Sequence, residues 1–387
     1  MKIAVLGGLG MQGQAAVYDL ARSGDVETVV CADNRTDAAD ALFDTAKVEI
    51  VFLDATSLDS LQELIEPLDV AIDLLPRQFG RVVCQAAIQG RTHVVNTNYA
   101  YDIADLDAQA RTAGIAIMPE CGLDPGIDLI LYGLAHAKFT ELHTIMSYCG
   151  GLPEARAANN PLKYKVSWNW EGVLSSTKRD ARIIADGRVV NIPGAMQHDP
   201  AYIHPIDFPG LGELEAIPNG DAAFFTDLIG VTGTIRETGR YALRWPGWSA
   251  FWHPLKQLGF LSEDPVPGLP PEATPYRMMV DLLAPQLQYG EDEKDLVAML
   301  NVFEGLAGGV PMRMTTQLLI ERDLATGLLA MSQGVGFPAS IVAQMLGRDE
   351  IAARGVLTPT RHVPARPFIT QLGERGIQVA VTEEGLS

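Results

Sequence analysis

Three glycines and an aspartate near the N-terminus form the first group of residues whose spacing suits a defined chemistry. Gly8, Gly10 and Gly13 stand as GxGxxG directly after the apolar run Ile3 to Leu6 and directly before a helical pattern, and Asp33 follows twenty residues after Gly13. That arrangement suits capture of a dinucleotide. A glycine at 8 makes the tight turn, one at 10 lets a pyrophosphate approach the backbone, and one at 13 lets the helix pack closely on the strand. Free amides at the helix start, Met11 and Gln12 among them, then hold the phosphate oxygens. Alone the motif is weak, and an ordinary glycine turn is the alternative; its place between strand and helix, with an acid at the right distance, favours the dinucleotide.

A carboxylate at the end of a second strand accepts hydrogen bonds from the adenosine ribose hydroxyls and repels a 2′-phosphate, so Asp33 favours NAD. Arg35, two residues on, can pair with that phosphate and keeps NADP open. A helix-capping role is the plain reading of Asp33. Asp54, closing a third strand, is placed to meet the adenine side or to cap the helix after it. Farther along, Asp124 lies in the turn Asp124-Pro125-Gly126, where an acid at the carboxyl edge of a sheet points toward a nicotinamide or simply caps the next helix.

The elements that must position these groups alternate strand and helix over the first 126 residues. Apolar, β-branched runs at Ile3 to Leu6, Thr28 to Ala32, Val48 to Leu53, Val70 to Leu75, His93 to Asn96 and Ile115 to Met118 read as strands. Helical patterns at Gln14 to Arg22, Ala38 to Phe43, Leu58 to Ile65, Arg81 to Gln89 and Leu106 to Ala113 return the chain parallel. The fold class is therefore α/β, a doubly wound parallel sheet of Rossmann type that binds ligands at the carboxyl ends of its strands. His93, on a buried strand pattern, reads as structural.

Composition narrows the function classes. With 387 residues, of which 47% are hydrophobic, the chain has room for about two domains and is not disordered. A formal net charge of -19 opposes binding to nucleic acid phosphates or anionic lipid. The four cysteines form no CxxC pair and have no histidine at zinc spacing, so no metal site is expected and reduced thiols fit a cytoplasmic protein. No apolar segment reaches the length of a membrane span.

A group of more specific blocks follows: Glu120 to Asp128 (ECGLDPGID), Ser147 to Pro153 (SYCGGLP), Asn160-Pro161-Leu162 with Tyr164 to Trp168, Gly172-Val173-Leu174, and Gly355 to Pro359 in the tail. Together they resemble the saccharopine dehydrogenase family over nearly the whole chain. The resemblance implies a Rossmann domain over residues 1–123, a second α+β domain over 124–329 that binds substrate and forms a homodimer, and a return to the first domain over about 330–387. It also implies hydride transfer between nicotinamide and a carbon bearing an amine of a small amino acid or amine substrate. By the same likeness, Asp124, Tyr99 and Cys149 are the candidates near the reacting nitrogen, and Asn98 lies in the same block as Tyr99. Cys149 is more readily a shaping residue than a nucleophile, since this chemistry needs no thiol. Arg244 matches a position that presents a guanidinium to a substrate carboxylate, with an internal salt bridge as its plain alternative. Lys165 either pairs with a substrate carboxylate or with an acid of the protein.

Departures from the family pattern matter as well. Gly220 stands where saccharopine-reducing members carry an arginine, which removes one expected clamp and favours a lysine-like substrate, whereas the Tyr99 block looks more like the saccharopine-reducing members. A polyamine-type reductase and a non-catalytic dinucleotide-binding protein remain as alternatives.

Overall fold

The computed structural model describes residues 1–35 and 46–386. The expected helix Ala38 to Phe43 lies outside the described residues. The chain divides into two compact units: Met1–Leu134 with Ala325–Val379, and Ala135–Leu324 with Ala380–Ser387.

Unit 1 is built on a parallel sheet of β1 (Lys2–Leu6), β2 (Thr28–Asp33), β3 (Val48–Phe52), β4 (Val70–Asp73), β5 (His93–Asn96), β6 (Ala116–Met118) and the short strand Gly355–Val356. Their order is Gly355–Val356, β6, β5, β4, β1, β2, β3, every neighbouring pair parallel. The order reverses at β1, which lies between β2 and β4, and that reversal opens a crevice at the carboxyl ends of the strands. Central strands are covered on both faces, so β4 is buried at every position and reads as a continuous apolar run ending in an acid. It stops at Asp73, two residues before the expected end, where the Asp73 carboxylate accepts the Leu75 amide at 3.1 Å and turns the chain out of the sheet.

The helices of this unit are α1 (Met11–Arg22), α2 (Leu58–Ile65), α3 (Gly80–Gly90), α4 (Asp107–Ala113) and α5 (Ile127–Lys138), with a further helix at Ala330–Gly347. Helix α1 starts three residues earlier than its apolar periodicity suggests, because the glycine loop delivers the chain directly into helical geometry. Gly336 of the helix Ala330–Gly347 lies against α1 so closely that a Cβ would sit 2.7 Å from the Ala16 amide nitrogen and 2.8 Å from Gln12 O. Asp19 of α1 is buried in that crossing, where Ser340 Oγ donates to it at 2.6 Å and Arg375 Nε at 2.7 Å.

Two boundaries differ from the expectation. The division falls inside α5 at 134/135 instead of at 123/124, because the first turns of α5 pack on the C-terminal return; a Cβ on Gly133 would meet Thr360 O at 2.2 Å. The last residues do not stay with unit 1: the strand Ala380–Gly385 adds to the sheet of unit 2.

Unit 2 has a mixed sheet, consistent with the α+β reading. Its strands are β7 (Glu141–Pro153), β8 (Ala181–Ala185), β9 (Arg188–Ile192), β10 (His204–Phe208), β11 (Gly212–Pro218), β12 (Glu237–Arg244), β13 (Asp295–Ala307) and β14 (Val310–Glu321). The main path runs β10, β11, β12, β7, β13, β14 and Ala380–Gly385, with β8 and β9 as a hairpin attached to β12. Only β12 and β7 run parallel along that path. Helices α6 (Trp170–Ser176), α7 (Ala222–Ile229), α8 (Trp248–Gln257) and α9 (Pro275–Leu283) complete the unit. Trp248 and Trp252, on one face of α8, join Tyr164 and Trp170 in a buried aromatic core, so these tryptophans are packing residues.

Candidate active site

The glycine loop of unit 1 has the geometry of a phosphate cradle, with one role reassigned. The left-handed residue is Gly7 (φ +78°), not Gly8. Gly8 is required for a different reason: a Cβ there would lie 2.5 Å from Cys31 Sγ. At Gly13 a Cβ would lie 2.1 Å from Gly7 O, so only glycine lets α1 start this close to β1. Gly10 caps α1 without a side-chain bond and leaves the first amides of the helix open. Met11, at the first helical position, is 44% exposed.

Asp33 ends β2 and faces this loop. Its Oδ2 accepts the Leu9 amide at 3.1 Å and its Oδ1 the Arg35 amide at 3.2 Å, with Arg35 Nε 3.6 Å away. The carboxylate is thus a fastener of the glycine loop, and the Arg35 side chain beside it is 61% exposed. Gly7, Gly10, Asp33, Arg35, Asp54, Leu75 and Phe79 line one cleft of about 490 Å³. Asp54 lines it while closing a local turn: its Oδ1 accepts the Thr56 hydroxyl at 2.6 Å and the Thr56 amide at 3.0 Å, bonds that hold its carboxyl below the usual range. The donor set suits a dinucleotide, with open helix amides for the diphosphate and apolar walls for the bases.

At the carboxyl ends of β4, β5 and β6 the sequence reading missed three buried acids. Asp73 is fully buried, its second oxygen has no hydrogen-bond partner, and burial pushes its carboxyl up to about 7. The other two, Glu120 and Asp128, flank the Asp124 turn and are also fully buried. One signal was available: acids that interrupt or closely flank apolar runs, as in Val-Ala-Ile-Asp. Asn98 is held by its amide on Asn96 Oδ1 at 3.0 Å, while its own Nδ2 is buried without a partner, 2.8 Å from where a Gly80 Cβ would be. It opens on a cavity of about 340 Å³ shared with Gly80 and Asn96. Tyr99 stacks on Tyr101 with centroids 5.2 Å apart, and Arg77 lies 5.8 Å from its ring. Asp124 is partly exposed in a turn closed by Gly122 N to Pro125 O at 3.1 Å, next to a cis Asp124–Pro125 peptide. His93 accepts the Ala116 amide through Nδ1 at 2.9 Å, a structural link between β5 and β6.

In unit 2 the remaining candidates separate into two kinds. Arg244 ends β12, is 8% exposed, and donates Nη1 to the neighbouring Leu243 carbonyl at 2.7 Å. Its guanidinium lies 5.3 Å from the Tyr164 ring and 5.1 Å from the Trp248 ring, and its Nε has no partner. Among the described residues no carboxylate pairs with it, and burial lowers its pKa from the ordinary value. Cys149 on β7 is paired in register with Ala242, two residues before Arg244 and therefore on the same face of β12. It is buried and shapes this neighbourhood. Lys165 is buried too, but its Nζ pairs with Glu293 and stands 5.9 Å from the Tyr289 ring.

The field around Arg244 is positive within an acidic chain. Burial, then the charges of Lys256 and Arg244, push His198 down to about 3, so it is neutral near pH 7. Lys256 donates to the carbonyl of Thr177 at 2.6 Å and to His198 Nδ1 at 3.1 Å, and burial lowers it to about 8. A buried guanidinium that stacks on aromatic faces in such a field can receive a carboxylate in bidentate fashion. No group of three or more His, Cys, Asp or Glu side chains among the described residues is placed to hold a metal, and no described helix is long and apolar enough to cross a membrane.

Comparison with known proteins places the chain in a family. Residues 3–118 match the saccharopine dehydrogenase NADP binding domain and residues 122–377 the saccharopine dehydrogenase C-terminal domain. The chain is similar to a saccharopine dehydrogenase (NADP(+), L-glutamate-forming) of Saccharomyces cerevisiae, 28% identical with 97% of each chain covered. It is also similar to the mitochondrial alpha-aminoadipic semialdehyde synthase of Rattus norvegicus, 28% identical over 97% of this chain and 47% of that protein. Against the rat and mouse synthases, the chain thus spans about half of the relative's length. The solved apo saccharopine dehydrogenase (L-Glu forming) of Saccharomyces cerevisiae shares the fold, with a TM-score of 0.88, 24% identity and 100% of both chains covered. The chain belongs to the saccharopine dehydrogenase family, and its cofactor is a nicotinamide dinucleotide.

Proposed function

We propose that the protein is an oxidoreductase that moves a hydride between a nicotinamide dinucleotide and the carbon of a carbon-nitrogen bond in an amino acid substrate. The observation that carries this reading is Arg244, a buried guanidinium with aromatic walls and no carboxylate partner among the described residues. A buried charge left without a counter-ion is costly, and a substrate carboxylate offsets that cost on binding.

The dinucleotide, when bound, supplies or accepts the hydride. The chain's own groups do the rest. The amides at the start of α1 hold the diphosphate, and Asp33 keeps the loop in shape by accepting the Leu9 amide. Arg244 takes a substrate carboxylate. Asp124 accepts a proton from the reacting nitrogen, Tyr99 relays one, and Asn98 offers an amide to the substrate. Cys149 shapes the wall beside Arg244, while Lys165 is balanced by Glu293 and contributes to structure.

NADP is the cofactor this reading favours, against the preference that Asp33 suggests by position. Asp33 is already engaged by two amides and by Arg35, and the exposed Arg35 guanidinium stands in the cleft where it can meet a 2′-phosphate. The matched domain and the yeast relative both carry NADP in their descriptions.

Saccharopine is the first substrate of this reading, on the strength of the yeast relative covered over 97% of its length. One specific observation favours a second reading, a lysine-like substrate: position 220 holds a glycine at φ +72°, a conformation that L side chains rarely adopt, so it offers no side chain to a carboxylate. A homodimer belongs to the same proposal and is checked by sedimentation. The deciding experiment mixes purified protein with NADP or NAD and with saccharopine, lysine or a polyamine, and follows reduced-nicotinamide absorbance in both directions. Turnover of saccharopine with NADP is expected; lysine turnover alone would select the second reading, and silence across the panel would reject an enzymatic role.

A further inference from the structure

Glu120 and Asp128, which the proposed reaction does not itself use, lie inside unit 1 on either side of the Asp124 turn. Both are fully buried, a state that carboxyl groups tolerate only when hydrogen-bonded, neutralised or paired. Glu120 Oε1 accepts the Ala100 amide at 3.1 Å, and the Glu120 amide donates to Asn98 O at 3.0 Å. The residue therefore grips both sides of Tyr99. Asp128 Oδ1 accepts the Gly126 amide at 2.8 Å and closes the Asp124-Pro125-Gly126 turn from its far end.

The backbone is bent to make these bonds. Glu120 adopts φ +61°, in the left-handed region that a non-glycine residue avoids. Gly126 is at φ +152°, and a Cβ there would lie 1.9 Å from Gly122 O. Such conformations persist where the surrounding contacts over-determine them, and they concentrate at functional sites.

The Glu120 charge also acts on Asp128. Burial first, and the Glu120 charge in addition, push Asp128 up to about 7 despite the amides of Gly126 and Leu129. Glu120 acts likewise on the Cys121 thiol, which burial first and Glu120 next raise well above its ordinary value, and Tyr132 stands one turn along α5 from Asp128.

We propose that Glu120 and Asp128 are positioning residues, one fixing the Tyr99 segment and the other the Asp124 turn, so that two buried acids at the ends of one nine-residue stretch, 120–128, set the mutual placement of both proton-handling groups. The proposal rests on the assignment of Tyr99 and Asp124 to the reacting nitrogen. It adds that these two groups are set jointly, through side chains that are themselves fully buried.

Asp128→Asn and Glu120→Gln test it, because each keeps the size of the side chain while replacing the carboxyl that accepts the amide with a weaker, neutral acceptor. With saccharopine and NADP, kcat of Asp128→Asn falls about tenfold or more and its pH dependence between about pH 6 and 8 flattens, while KM and dinucleotide affinity stay within about twofold. Wild-type kcat with an unchanged pH profile overturns the proposal. A loss of kcat, dinucleotide affinity and thermal stability in parallel also overturns it, in favour of a merely structural role. A second measurement needs no turnover: in the ligand-free protein, Asp128→Asn speeds amide hydrogen exchange at Ala100, across the pair, as well as at Gly126. Exchange confined to Gly126 overturns the joint placement. If the wild-type protein turns over nothing, the reaction reading fails, and hydrogen exchange still decides whether the two segments are coupled.

Discussion

Arg244 and Lys165 are both buried cations of unit 2, and both read in the sequence as partners for a substrate carboxylate. The fold treats them oppositely. Lys165 is met by Glu293, which donors hold ionised: the Gly290 amide first and Lys165 next lower the Glu293 pKa. Arg244 is met by aromatic rings and a single backbone carbonyl. A cation whose charge is balanced inside the protein contributes to structure; one whose charge is not balanced is poised for a ligand. The difference lies in the partner, not in burial or charge, and mutation can expose it.

The largest effect is expected at Arg244. Arg244→Met should raise KM for the substrate about a hundredfold, roughly 3 kcal/mol, with dinucleotide affinity unchanged. A KM within about threefold of wild type in steady-state assays would remove Arg244 from the site. Arg244→Lys, which keeps the charge and loses the planar fork, should lie between, with KM raised about tenfold. Arg35 is an intermediate case, exposed and beside an acid that is already satisfied. Arg35→Ala should weaken NADP about tenfold and NAD by less than about twofold in fluorescence titrations, and equal losses would return the choice to Asp33. Asp33→Ser should weaken both dinucleotides together, since it releases the Leu9 amide from its fastener.

Lys165→Met should change KM by less than about threefold, the smallest kinetic effect of the series. Its signature is in stability against pH. Glu293 has a folded pKa below its unfolded one, so its contribution is full above the unfolded value and disappears as pH falls through the folded value. Removing Lys165 should shrink that acid-side loss in thermal melts. An unchanged profile would mean that the Gly290 amide alone keeps Glu293 ionised.

Much of unit 1 was legible because local signals agree with the global fold there. Apolar runs of strand length, helical periods between them and a glycine-rich turn all point to a parallel sheet, and α2 and β5 fall on the residues their patterns indicate. What was not legible depends on contacts far apart in the chain. The left-handed turn falls at Gly7 and not at Gly8, and what requires glycine at 8 is Cys31 of the neighbouring strand, which fills the space beside it. Glu293 reaches Lys165 across 128 residues of sequence, a pairing that no window of local pattern contains. Arg244 had only a family likeness behind it, and its missing carboxylate partner is a property of three-dimensional surroundings. Asp73 lies inside the apolar run 70–75 and Asp128 in a block that carried only a family likeness, and their raised pKa values follow from burial that appears only once the sheet and α5 are assembled.

The crossing of Ala330–Gly347 over α1 also bears on how the chain is made. Asp19 and Ser340 meet across 321 residues of sequence, and Arg375 joins the same acid from still farther along. A ribosome that has released the whole glycine loop has therefore not yet delivered the helix that packs against it. Unit 2, nearly continuous in sequence, can complete its core while the N-terminal strands still wait with apolar faces uncovered. The apolar faces of the dinucleotide half thus stay uncovered until residues 325–379 are made, a state that favours association with other chains.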